Sequence, residues 1–237
     1  ANVAAQLRQD IPADAPENAD WCQLVDYTRD LEAIVLAAVI YRYKNIGYAQ
    51  AIQAVQLLTQ HQKAELIQEI FSAHSRYTAP LREVEHSSFT FDITLDQGAW
   101  YEVKRHRMLT LTTQPFTPAL GYTTPLLIQQ AGCQGEYETL MQECIRLYPR
   151  LEEAAPGVGS YILPNAFKRR FLVTANLRSL IHFINLRSAD NAHYSVRRLA
   201  LRMAEQMRHI LPDFAPCLFY AVHENWQEIE KKFFAIP

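Results

Sequence analysis

Apolar residues recur at helical spacing from Trp21 to Lys44, with Leu24, Tyr27, Leu31, Ile34, Val35 and Ala38 in register. This spacing predicts one long helix. Gly47 interrupts it, and two shorter amphipathic helices are expected over about Tyr48–Thr59 and Gln62–His74. The pattern then changes period. From Glu85 to Leu95 the residues alternate, with Phe89, Phe91, Ile93 and Leu95 on one side, as in a half-buried strand. Beyond the break at Gly98, a helix over Gly98–Met108 leads into an extended stretch, Leu109–Thr113. Pro115, Pro118 and Pro125 argue against regular structure between them. Glu136–Ala155 reads as a helix that Pro156 and two glycines end. Phe167–Arg187 reads as a long helix started by Pro164-Asn165, and His193–Leu211 as another, capped by Asp190 or Asn191 and stopped by Pro212. Ala221–Phe234 reads as a final charged helix. Residues 1–20, rich in Ala, Asp and Pro, read as a loose arm ahead of a single domain over 21–237. The total is about six or seven helices around a few strands, an α+β chain.

Composition narrows the function. The 237 residues carry 23 basic and 25 acidic groups, a balance that argues against a nucleic-acid polymer as partner. No apolar run has the length of a membrane span, and no secretory leader is visible. Cys22, Cys133, Cys144 and Cys217 form no C-x-x-C pair and complete no zinc pattern, so no metal is expected. They read as free buried thiols in a reducing cytoplasm. Gly157–Gly159 is a lone G-x-G, so a dinucleotide here must be held by side chains instead of a glycine-rich turn.

Two clusters could carry chemistry. Arg105-His106-Arg107 sets three cationic groups side by side, which suits either a solvated basic turn or a site for phosphate, since guanidinium pairs bidentately with phosphate oxygens. Asn176, Arg178, His182, Asn185 and Arg187 are polar in an otherwise apolar segment. On a helix, Arg178, His182 and Asn185 share one side, and Asn176 and Arg187 another. Hydrogen bonding within the core would explain such groups, but a polar ligand site explains the two arginines better. Glu85-His86 reads as a structural pair. Tyr194, Arg197, Arg198 and Arg202 read as a solvated or subunit-facing surface.

These residues resemble the flavin-dependent thymidylate synthases. That family carries a Glu-His strand containing Phe-Thr-Phe, here Glu85-His86 and Phe89-Thr90-Phe91, and then an Arg-His-Arg signature, here Arg105-His106-Arg107. It carries Tyr-x-x-Pro (Tyr122 to Pro125), Leu-Pro (Leu163-Pro164), Thr-x-Asn-x-Arg-Ser-Leu (Thr174 to Leu180) and Asn-Leu-Arg (Asn185 to Arg187). The match covers residues 82–211, with 21–80 similar only as a helical region. The resemblance implies a small, mainly antiparallel sheet packed with helices, and a cytoplasmic homotetramer with FAD between subunits. It implies that Arg105, His106, Arg107, Asn176, Arg178 and His182 face FAD, and that Arg187, Glu102 and Tyr122 face the substrate. NADPH and a methylene-folate are implied as co-substrates, with no protein nucleophile; no catalytic residue is assigned.

The departures fall on one ligand. In the family, Ser-x-Arg follows the signature after seven residues, and its arginine grips the dUMP phosphate; Pro115 and Thr117 stand there. Ser160 replaces a second phosphate-binding arginine, Glu102 a glutamine, Pro80 a histidine that touches FAD, and His182 an asparagine. Ala192-His193-Tyr194-Ser195 replaces Ala-Gln-x-Glu. Losing both phosphate ligands, at about 1.5–3 kcal/mol each, points to a changed acceptor. Ordinary dUMP methylation with Lys104 or Lys168 as substitute ligands, and a non-catalytic module of a longer chain, are the alternatives.

Overall fold

A computed structural model describes residues 20–75, 78–218 and 224–235. The arm at 1–19 and the start of the predicted final helix at 221–223 lie outside them. Four strands form one sheet in the order β1-β2-β4-β3: β1 (Cys22–Tyr27), β2 (Phe89–Asp96), β3 (Thr110–Thr113) and β4 (Lys168–Ala175). Every pairing is antiparallel. Nine α-helices surround the sheet among the described residues: α1 (Leu31–Tyr43), α2 (Tyr48–Gln56), α3 (Gln60–Ser72), α4 (Gln97–Val103), α5 (Leu126–Gln130), α6 (Gln134–Ala154), α7 (Leu177–Arg187), α8 (Tyr194–Ile210) and α9 (Trp226–Phe233). The α+β class holds. The count exceeds the expected six or seven; α5 had no counterpart in the expectation, and α4 ends at Val103, short of the expected Met108.

Two predicted helices begin as strands. Residues 22–27 pair with β2 from Cys22↔Ile93 to Tyr27↔Phe89. Asp30, at φ 52°, then turns the chain into α1. Residues 168–175 pair along their whole length with β2, from Phe89↔Ala175 to Asp96↔Lys168, and also with β3. Their buried residues, Phe171, Val173 and Ala175, alternate with Leu172 and Thr174, a strand period hidden in an apolar run. The proline-rich stretch is less irregular than expected: Pro118 opens a 3-10 turn, Pro118–Leu120, and Pro125 is the N-cap of α5. His193, not Asp190 or Asn191, is the N-cap of α8.

The sheet buries one face. Phe89, Phe91, Ile93 and Leu95 of β2 join Phe171 and Val173 of β4 under Leu180, Phe183 and Ile184 of α7 and Leu199 and Met203 of α8. On the other face Thr90 and Thr174 share a hydroxyl hydrogen bond of 2.9 Å, and Arg170 pairs with Asp92. Asp96 ends β2 and caps α4 by accepting from the Ala99 amide at 2.8 Å; its other oxygen accepts from the Ser195 hydroxyl, which ties α4 to α8. A smaller core joins Phe116, Met141, Cys144, Leu163 and Phe167.

The basic surface expected on α8 is internal. Arg197 and Arg198 are buried, and Arg197 pairs with Asp190 and Glu224. Arg198 donates to Glu230 at 2.6 Å and stacks over Trp21 and Phe234, while Tyr194 stacks on Phe233. A guanidinium survives there because carboxylates and aromatic faces replace its water. Cys22 and Cys144 are buried free thiols as expected, but Cys133 is exposed at the start of α6; the side chain of Cys217 lies outside the described residues. No helix among the described residues is long and apolar enough to cross a membrane.

Candidate functional site

The site grows from the joint between β4 and α7. The strand ends at Ala175, and Asn176 caps the helix, its side-chain oxygen accepting from the Ser179 amide at 2.8 Å. One turn carries the chain from central sheet to groove wall. Successive turns of α7 then present Arg178, His182, Asn185 and, at its last residue, Arg187 to the same cavity. The opposite wall is the loop that leaves α4, Arg105 to Leu109. The third is His74 to Glu85, less the undescribed pair inside it. The groove encloses about 930 Å³, within the range of small-molecule and cofactor sites.

Its polar groups are organised in two sets. Arg178 donates through Nη1 to Glu85 at 2.9 Å and through Nε to the Pro80 carbonyl at 3.1 Å, which fastens the third wall to α7. The Arg82 and Arg178 guanidiniums hold the Glu85 carboxyl below the usual carboxylate range. Arg187 donates through Nη1 to Glu102 Oε2 at 2.8 Å and through Nε to His106 Nε2 at 2.8 Å. His106 therefore accepts at Nε2 and is held neutral. Burial, and then the Arg187 charge and His182, lower its pKa to about 4. Its ring packs edge-on against Phe183, 4.9 Å between centroids, and 5.9 Å from His182. Met108, Leu109, Ile181 and Leu186 supply the apolar lining.

Of the nine residues that the resemblance implies as facing cofactor or substrate, six line this one groove: Arg105, His106, Arg107, Arg178, His182 and Arg187. Three do not. Glu102 stands behind the wall, bridging Arg187 and Arg105. Asn176 is the helix cap. Tyr122 lies in the smaller core, its ring 5.5 Å from Phe167 and 5.9 Å from Tyr137. Thr117 and Ser160 are also outside the lining: Thr117 caps the turn at Pro118, and the Ser160 hydroxyl donates to the Gly157 carbonyl. The wall at His74 to Ala79 was not legible, because it has no periodic pattern and meets the other two only through the fold. No cluster able to hold a metal ion occurs among the described residues.

A polar groove lined by the Arg-His-Arg loop and a strand-capped helix bearing two more arginines fits the family whose profile matches residues 23–213, the thymidylate synthase complementing proteins. The chain belongs to that family. It is 27% identical over 199 residues to a flavin-dependent thymidylate synthase of Geobacter sulfurreducens, spanning 80% of this chain and 82% of that protein. It is also 27% identical over 199 residues to a UPF0159 protein of Thermoplasma acidophilum, and 28% identical over 182 residues to one of Chlamydia muridarum. These matches take in 81% and 76% of this chain but only 40% and 34% of those two proteins, so the chain spans less than half of either.

Proposed function

We propose that this chain binds FAD in the groove and serves a flavin-mediated hydride or one-carbon transfer to a nucleotide-like or other small-molecule acceptor that differs from dUMP. The observation that carries the proposal is the donor set. Among the described residues, the four guanidiniums of Arg105, Arg107, Arg178 and Arg187 are matched by two carboxylates, Glu85 and Glu102, neither of which pairs with Arg107. The remaining positive charge suits a diphosphate, which arginine binds through paired donors. The apolar lining from Met108 to Leu186 suits a ring. Bound there, FAD would supply the hydride chemistry. Arg105, Arg107 and Arg178 would hold its anionic part, and neutral His106 would offer a hydrogen bond without a competing charge.

Support for a changed acceptor comes from Thr117 and Ser160, which stand where the family's phosphate-gripping arginines would. Lys104 and Lys168, the substitute ligands of the alternative reading, are not among the residues that line the groove. The Lys104 ammonium lies over the Trp100 and Tyr101 rings at 4.7 and 4.6 Å, and Lys168 is half-buried beside Asp96, with burial lowering its pKa. The same reading includes NADPH and a methylene-folate as co-substrates, and a cytoplasmic homotetramer with FAD between subunits. The test is an absorbance spectrum of the purified protein, repeated after adding FAD and dialysing. Flavin bands are expected, and dUMP should leave them unchanged. A protein that refuses added FAD would overturn the proposal in favour of a non-catalytic module, and a dUMP-induced spectral change would restore ordinary thymidylate synthesis.

A further inference from the structure

The arginines of the groove are not equivalent. Arg187 is the least exposed, 16% accessible, and most of its donors are committed: Nη1 to Glu102 Oε2 at 2.8 Å, Nη2 to the Glu102 carbonyl at 3.3 Å, and Nε to His106. Arg178 is committed to Glu85 and the Pro80 carbonyl. Arg105 reaches the other Glu102 oxygen at 3.2 Å yet keeps 68% of its side chain exposed. Arg107 is exposed and has no carboxylate partner among the described residues. Glu102 is thus shared between buried Arg187 and exposed Arg105, and Glu85 between Arg178 and exposed Arg82, so the positive charge without a carboxylate among the described residues is the exposed one of Arg107. Asn185 and Leu186, the lining residues that precede Arg187 on α7, carry no charge.

We infer that Glu102 sets the charge of the group that the inner groove accepts. By cancelling Arg187 it reserves that end for an uncharged polar group, such as a heterocyclic carbonyl, and leaves the anionic part of the ligand to the other arginines of the groove. A carboxylate 2.8 Å from a partly buried guanidinium makes a pair that is close to neutral from outside, whereas the guanidinium alone would draw in an anion. Glu102 does not line the wall, so it acts through Arg187 and Arg105 as a positioning residue. The inference rests on the reading of this groove as a ligand site, but its test does not require flavin.

The experiment is isothermal titration of the whole chain with two probes, inorganic phosphate and uridine. The proteins are wild type, Glu102→Gln and Glu102→Asp, each checked for folding by circular dichroism. Glutamine keeps an oxygen for Arg187 but removes the charge; aspartate keeps the charge and changes the reach. Glu102→Gln is expected to bind phosphate about tenfold more tightly than wild type, an advantage that fades with added salt. Its uridine affinity should stay within about threefold, and Glu102→Asp should keep the wild-type preference. Equal phosphate affinity in folded wild type and Glu102→Gln would overturn the inference, as would a Glu102→Asp protein that behaves like the glutamine variant. A wild type that retains FAD while Glu102→Gln gains nothing removes this inference alone. A wild type that refuses FAD while Glu102→Gln gains phosphate removes the flavin reading alone.

Discussion

The neutral state of His106 has a measurable consequence for stability. Its imidazole ordinarily titrates at 6.5, and burial together with Arg187 lowers this to about 4 in the fold. Below pH 6.5 the unfolded chain takes up a proton that the folded chain refuses, so stability falls with pH until the folded imidazole itself protonates near 4. A shift of this size corresponds to about 3 kcal/mol in full. The imidazole is only partly buried, and solvent screening reduces this to about 1 kcal/mol between pH 7.5 and pH 5. The perturbation is His106→Gln, whose amide oxygen can still accept from Arg187 Nε but cannot titrate. Urea denaturation of wild type and variant at the two pH values is the assay. Wild type should lose about 1 kcal/mol more than the variant on going to pH 5. Equal losses, or a His106 ring resonance that titrates near the ordinary 6.5, would refute the reasoning.

Arg178→Ala should weaken FAD binding about ten- to a hundredfold, since a charge-assisted contact contributes about 1.5–3 kcal/mol. It should cost only about 1 kcal/mol of stability, because its ion pair with Glu85 is partly exposed; flavin retention after dialysis and a denaturation curve read the two separately. Asn176→Ala should lower stability by about 1 kcal/mol through loss of the α7 cap, and Asn176→Asp should restore it; if the aspartate variant is stable but loses flavin, Asn176 contacts the ligand as well. Phe183→Ala should cost about 3–5 kcal/mol, measured by urea denaturation, as a fully buried ring packed on His106.

The elements legible in the sequence were those whose period dominates their surroundings. The alternation of Phe89, Phe91, Ile93 and Leu95 gave β2, and the amphipathic stretches gave α2, α3, α6 and α8 close to their observed bounds. The two strands missed, β1 and β4, both run straight into helices, at Leu31 and Leu177, so a short strand period was absorbed into a longer helical one. That error carried into the site. Asn176, read as a helix-face residue, is a cap because the helix starts one residue later. The arginines were legible because charge in an apolar segment is conspicuous. The pairing of Glu102 and the fastening of the third wall were less so: they depend on contacts from Glu102 to Arg187 and from Pro80 to Arg178, more than eighty positions apart in the chain.

The joint at Asn176 also bears on how ligand preference can change over generations. β4 is locked by hydrogen bonds to β2 on one side and β3 on the other, and a single capping residue separates it from α7. A one-residue slip of β4 would turn Phe171 and Val173 out of the core, so the register cannot drift. Arg178, His182, Asn185 and Arg187 therefore move, if at all, as one body with the sheet. A change of ligand preference at this groove is therefore a change of side chains on a fixed frame.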